Sequence, residues 1–319
     1  MSVQRWLDEG ARFGPEFSQG LSNHLPMALL ALHRLGAPDS RIDDFATRYV
    51  RRLEQAPDAD HWRSGELWQA RLGERESWSA YRSLFVDWIA RDGSHSVLTQ
   101  ALPKLMDGCG AAAYHGMIRT AYAVLSEHEG ELADGLAYWA SRHLPLGDTV
   151  DGGTVADPAL VIRSLRVSTS SENLIFESMR IAAQGRDFAQ LIKPLKVDSD
   201  TLGRLGRLAA TLYAASGNFT VLHLVTSCHA VRVLLPFIGD QQAALHAYWR
   251  AYAAGYIASG LGARGTTKMR PWDEIIAAAI SSDDEHVVKL VDSCREEERA
   301  YGGDEWRLAA SRGFSQTLS

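Results

Sequence analysis

A chain of 319 residues, 46% hydrophobic and 23% charged, has the material for one large buried core. Its net charge of −6 comes with scattered basic residues, Arg51-Arg52 being the one adjacent pair, which excludes a basic footprint for nucleic acid or an anionic membrane surface. Cys109, Cys228 and Cys294 are odd in number and in no CxxC, against a disulfide framework or thiolate zinc site and in favour of a reducing, cytoplasmic location. The opening MSVQRWLDEGARFG has no apolar signal core, and no run is expected to reach the roughly 18 apolar residues of a membrane span.

In chain order, residues 21–35 predict a first helix, with Ser22 as N-cap, His24 at its entrance and Pro26 in the first turn, where a missing N–H costs nothing. Gly36 stops it, and Ser40 with Asp43 opens a second amphipathic helix, completing a helical hairpin. Residues 58–94 carry Trp62, Trp68, Trp78 and Trp88; the helical spacing of Trp78, Leu84, Phe85 and Trp88 reads as a buried aromatic seam. Residues 95–125 are helical in pattern but interrupted by Pro103, Gly108, Gly110 and Gly116. Within GCGAAAYHGMIRTAYAV, His115 is surrounded by residues too small to fill space, so another element or a ligand has to approach its backbone closely. A helix over residues 131–144 follows, and PLGDTVDGGTVADP is the one clear linker, ending in the cap pair Asp157-Pro158.

Beyond the linker, VIRSLRVSTS is the one β-rich run, followed by helical patterns over about 171–190 and 199–215. The apolar stretch NFTVLHLVTSCHAVRVLLP carries His223 and His229, six positions and therefore about 120° apart on a helix, which predicts different partners for the two. His223 shares its face with Phe219, Thr226, Ser227 and Ala230, so its partner is expected from a distant part of the sequence. Residues 241–259 read as a helix packed through Leu245, Tyr248, Trp249, Tyr252 and Tyr256. Gly260 to Gly265 spells GxGxxG, but a helix precedes it and Pro271 follows, so it reads as a helix end and loop rather than a dinucleotide fingerprint. In SSDDEHVVKLVDSCREEERAY, Ser282 and Glu285 make a capping box that sets His286 and Lys289 one turn apart on the same face. The pattern as a whole predicts an all-α protein: a large multi-helix bundle with a buried central site, one domain over residues 1–319 with an internal linker near 145–157.

His24, His115, His223 and His286 all fall in helix-prone segments, three of them flanked by small or apolar residues, and helix bundles build metal sites from such inward-facing side chains. HExxH, EF-hand, GxSxG and Walker motifs are absent. The segments NHLPMALLALHRLGA, AAAYHGMIRTAYAV, LHLVTSCHAVRVLLP and DDEHVVKLV, in this order over nearly the whole chain, resemble the questin oxidase-like family. The resemblance implies a large all-helical enzyme related to fungal proteins that oxidatively open the central ring of an anthraquinone. Some of these are described as NADPH-dependent Baeyer–Villiger-type oxygenases, and one as a non-haem iron dioxygenase with four histidines and a carboxylated lysine. Carried over, His24, His115, His223 and His286 become the imidazole ligands and Lys289 the carbamate, with Fe(II) as the metal, Mn, Zn or Ni as alternatives, and O2 as co-substrate.

This chain has Met27 and Arg119 where fungal members have second histidines in NHxxH and HPxIH. Arg119, one turn from His115, is then a catalytic candidate that anchors the substrate's anionic oxygen, and His229 is a second, or a substitute ligand for His286. A flat polyketide would sit in an aromatic pocket supplied by some of Trp62, Trp78, Trp88, Tyr114, Tyr122, Trp249 and Tyr252. Besides the oxygenase, a helical binding protein for an aromatic ligand, its histidines serving as polar lining, accounts for the same residues.

Overall fold

The computed structural model describes residues 2–62, 66–148, 150–168, 174–263 and 265–314. The fold is all-α: among the described residues 67% are helical, with 16 α-helices, a few short 3-10 turns and one two-strand sheet. Chain contacts separate it into two compact units, Met1–Pro145 with Val233–Gly239, and Leu146–Arg232 with Asp240–Ser319.

The first unit holds α1 (Ser2–Gly10), the short hairpin β1 (Glu16–Phe17) and β2 (Leu21–Ser22), then α2 (Leu25–Leu35), α3 (Asp39–Tyr49), α4 (Trp78–Asp92), α5 (Ser94–Leu105), α6 (His115–Ser126) and α7 (Glu129–Ser141). Helix α7 is the hub, packed against both α4 and α6, while α2 pairs with α3 as the expected hairpin. Two glycines permit the α6–α7 approach: a Cβ on Gly116 would stand 2.6 Å from the Trp139 Cα, and one on Gly135 2.9 Å from the Thr120 nitrogen. The close neighbour expected at His115 is therefore α7. The aromatic seam is present as Phe85 stacked on Trp88 with Trp68 against both, and Trp62 on Tyr81.

The second unit holds α8 (Pro158–Ile162), α9 (Ile175–Ala183), α10 (Phe188–Ile192), α11 (Thr201–Ser216), α12 (Phe219–Leu234, whose last two residues count with the first unit), α13 (Gln241–Ala258), α14 (Trp272–Ser281), α15 (Glu285–Tyr301) and α16 (Glu305–Arg312). Helix α13 packs on α9, and α16 on α11 and α15. Ser227 of α12 bonds Tyr248 of α13, and His229 bonds Glu297 of α15, so α12 lies between them. The expected β-rich run forms no strand among the described residues: it ends α8 and turns, with residues 169 and 170 outside the described set. Residues 171–173 of the following helical pattern also lie outside it, as does Arg264 of the GxGxxG stretch, whose Gly260 and Gly262 occupy a left-handed loop after α13.

Three helix starts differ from expectation. Helix α2 begins at Leu25, its first amide bonded to Asn23 Oδ1 at 3.0 Å, while Ser22 pairs with the Tyr138 hydroxyl. Helix α3 begins after Pro38 with no side-chain cap, and Asp43 instead accepts from Ser2, Arg5 and Trp6 of α1. Helix α15 is capped by Asp284, which accepts from the His286 amide at 2.8 Å; Ser282 ends α14. In α15 an aspartate nearer the helix takes the place predicted for serine, while in α2 the N-cap position falls to His24 and Asn23 just before it accepts from the first helical amide. The apolar-run expectation is corrected too: residues 219–237 are 19 long and apolar enough to cross a membrane, but 72% of that stretch is buried inside the fold, the condition of a core helix.

Candidate metal centre

In the first unit His24 occupies the N-cap position of α2, its amide donating to the Tyr49 hydroxyl at 3.0 Å. Asn23, itself buried, fixes this turn from both ends of its amide, donating to the Gly14 carbonyl and accepting from Leu25. The His24 ring stacks on that of His115, centroids 4.6 Å apart and planes 14° from parallel. His115 Nδ1 donates to the Ala112 carbonyl at 2.5 Å. That bond places the ring proton on Nδ1 and the lone pair on Nε2, the tautomer a metal takes.

The second unit repeats the device. His223 Nδ1 donates to the Phe219 carbonyl, 2.8 Å away and one turn earlier on α12. The partner of its Nδ1 is thus local, since an i−4 carbonyl can take a ring N–H as well as a backbone one. The His223 and His286 ring centroids are 5.6 Å apart, with the edge of Phe219, 54% exposed, against both. Burial holds the His223 imidazole well below its usual value, and His286 and Lys289 push it the same way. Burial also lowers His286, although Asp284, 3.4 Å from its Nδ1, opposes this. Asp284, Glu285 and His286 offer ligand atoms within 4.8 Å of one another. Lys289 is 2% exposed. Loss of hydration draws its ammonium down to about 8, against the opposing pull of Glu285 and Asp284.

The other candidates have structural partners as well. Arg119, 1% exposed, bonds Glu131 through Nε at 2.5 Å and Nη2 at 2.8 Å, and reaches Asp134 at 3.2 Å. Asp134 also pairs with Arg82 of α4, so α4, α6 and α7 share one buried charge network. His229 donates through Nδ1 to Glu297 at 2.8 Å, and Arg232 Nε joins the same carboxylate oxygen at 2.7 Å. His223 and His229 therefore have different partners, as their angular separation predicted. Of the expected pocket aromatics, Trp249 and Tyr252 spend their polar tips on the Ile192 and Leu205 carbonyls, and Trp88 packs within the seam. A cavity of about 440 Å³ in the first unit, lined by Leu98, Val124, Glu127, Leu132 and Phe237 among others, contains none of these candidates.

Sequence reasoning missed Asn23, Glu297 and the acidic partners of Arg119. Asn23 directly precedes His24, and a short amide side chain at a helix start is the signal that could have found it, since it accepts from the Leu25 amide. Glu297 carried no local signal, since only the pairing of α12 with α15 gives it a histidine.

Residues 21–294 match the family model of the questin oxidase-like proteins, a span that contains every candidate ligand and ends just short of Glu297. The chain belongs to the questin oxidase-like family. Membership makes it an oxidase or oxygenase that uses O2 on a small-molecule substrate. No curated protein matches this family member. Its donors are of the kind a metal takes: buried imidazoles whose Nδ1 is bonded to a carbonyl at His115 and His223 and, in the second unit, a buried amine of lowered basicity at Lys289.

Proposed function

We propose that this chain is a metal-dependent oxygenase, with Fe(II) held by His24, His115, His223, His286 and a carboxylated Lys289, and that residues 1–319 act as one domain in the cytoplasm. The observation that carries the reading is the repeated carbonyl clamp on Nδ1 of His115 and His223, which leaves Nε2 of each as the ligand atom. At a value of about 8 the Lys289 amine is available to add CO2, releasing a proton and giving a carbamate that a divalent metal stabilises. When bound, the iron supplies activation of O2. The substrate class is a hydroxylated aromatic polyketide of the anthraquinone type, undergoing oxidative C–C ring cleavage. Arg119 offers its remaining Nη1 to the anionic substrate oxygen, and His229, oriented by Glu297, accepts the phenolic proton.

The test is metal content after anaerobic loading with Fe(II), followed by O2 uptake with hydroxyanthraquinones, with and without NADPH. About one metal per chain and NADPH-independent uptake are expected; less than roughly a tenth of a metal per chain sinks the reading, and dependence on NADPH selects monooxygenation instead. Lys289→Ala and Lys289→Arg are both expected to lose the metal, since neither returns an anion, while Lys289→Glu recovers part of it. His33→Ala is expected to bind metal normally.

A further inference from the structure

Ahead of His115 the backbone does something rare. Ala112, Ala113 and Tyr114 have φ of 46°, 55° and 71°, three consecutive non-glycine residues in the left-handed region. Residues with a Cβ visit this region singly, because Cβ then crowds the next carbonyl; a run of three persists only where its surroundings over-determine it. Here the surroundings are a two-point clamp by α7. On one side of the turn the Gly108 carbonyl accepts from Trp139 Nε1 at 3.2 Å and from the Leu144 amide at 3.4 Å. On the other, Gly116 lies so close to Trp139 that a Cβ would meet its Cα at 2.6 Å. Trp139, fully buried, thus touches both ends of the segment. The turn's product is the Ala112 carbonyl, which accepts both the His115 amide at 3.3 Å and the His115 Nδ1 at 2.5 Å.

We infer that the left-handed turn Ala112–Tyr114, held by Trp139, is a positioning device for His115, fixing its ring orientation and its Nδ1–H tautomer before any ligand arrives. The residues of the turn and Trp139 are positioning residues; His115 does the chemistry. A turn whose only purpose was chain reversal would use glycine, which adopts these angles without strain and which flanks the turn at Gly108, Gly110 and Gly116. Alanine in this conformation restricts the backbone to the one arrangement that α7 enforces, at the expense of stability. The value of such a device rests on the metal reading above, but its existence does not.

The experiment is 15N NMR of the histidine side chains in the metal-free full-length chain, with the His115 signals assigned by their loss in His115→Gln. The wild type is expected to show a single Nδ1–H tautomer for His115. Ala113→Gly relaxes the turn without removing any functional group: it is expected to keep or raise Tm while the His115 signals become an average of the two tautomers. In the same variant, Fe(II) affinity is expected to fall roughly tenfold or more, the usual effect of freeing a ligand's orientation. Trp139→Phe, which keeps an aromatic ring but loses the bond to Gly108, is expected to give the same averaging. An Ala113→Gly protein with an unchanged tautomer, or one with a lowered Tm, overturns the inference. If the wild type binds no Fe(II), the metal reading fails, and the tautomer comparison still decides this one.

Discussion

Arg119 and Glu131 face each other across the α6–α7 interface, both buried, joined by two N–H···O bonds of 2.5 and 2.8 Å. Removing one partner leaves a charge without compensation in the interior, at a cost of about 3–5 kcal/mol. Arg119→Met is therefore expected to lower the urea midpoint markedly, and Arg119→Met with Glu131→Leu to recover much of the loss. Were Arg119 only a substrate anchor, the single variant would change KM and leave the midpoint alone.

Glu297 is wholly buried and serves both His229 and Arg232. Glu297→Ala strips two donors of their acceptor, with an expected loss of about 2–4 kcal/mol by chemical denaturation. Glu297→Gln keeps an acceptor oxygen and should retain most of the stability.

The α6–α7 contact leaves no room at Gly116. Gly116→Ala drives a methyl into the Trp139 backbone, which cannot give way as a flexible side chain would. A loss of about 1–3 kcal/mol is expected. Ordinarily Gly→Ala inside a helix stabilises by roughly 0.5–1 kcal/mol, so the sign of the measured change tests the packing directly.

In the metal-free chain His223, His286 and Lys289 all have values lowered by burial. The folded state then binds fewer protons than the unfolded one, and stability rises with pH across each window. For the histidines this means a loss as pH falls below the ordinary 6.5. For Lys289, lowered from 10.5 to about 8, the gain comes between those two values, on the order of 3 kcal/mol when complete. Urea midpoints measured from pH 5 to 10 should climb in both ranges. In Lys289→Met the upper climb should vanish; if it persists, Lys289 is not the group responsible.

Periodicity and punctuation in the chain were enough to determine the all-α class, the α2–α3 hairpin, the aromatic seam around Phe85 and the different directions of His223 and His229. These depend on residues within one or two turns of each other, where the 3.6-residue repeat acts directly. The order of four histidine-bearing segments also determined the family. What only the tertiary structure decided depends on groups distant in sequence. Arg119 reads as a helix-surface cation until α7 places Glu131 and Asp134 against it, and His229 has no partner until α15 brings Glu297 alongside. The left-handed turn before His115 is the sharpest case: alanine favours right-handed helix by its own propensity, and only the clamp by Trp139 on α7 overrides that preference.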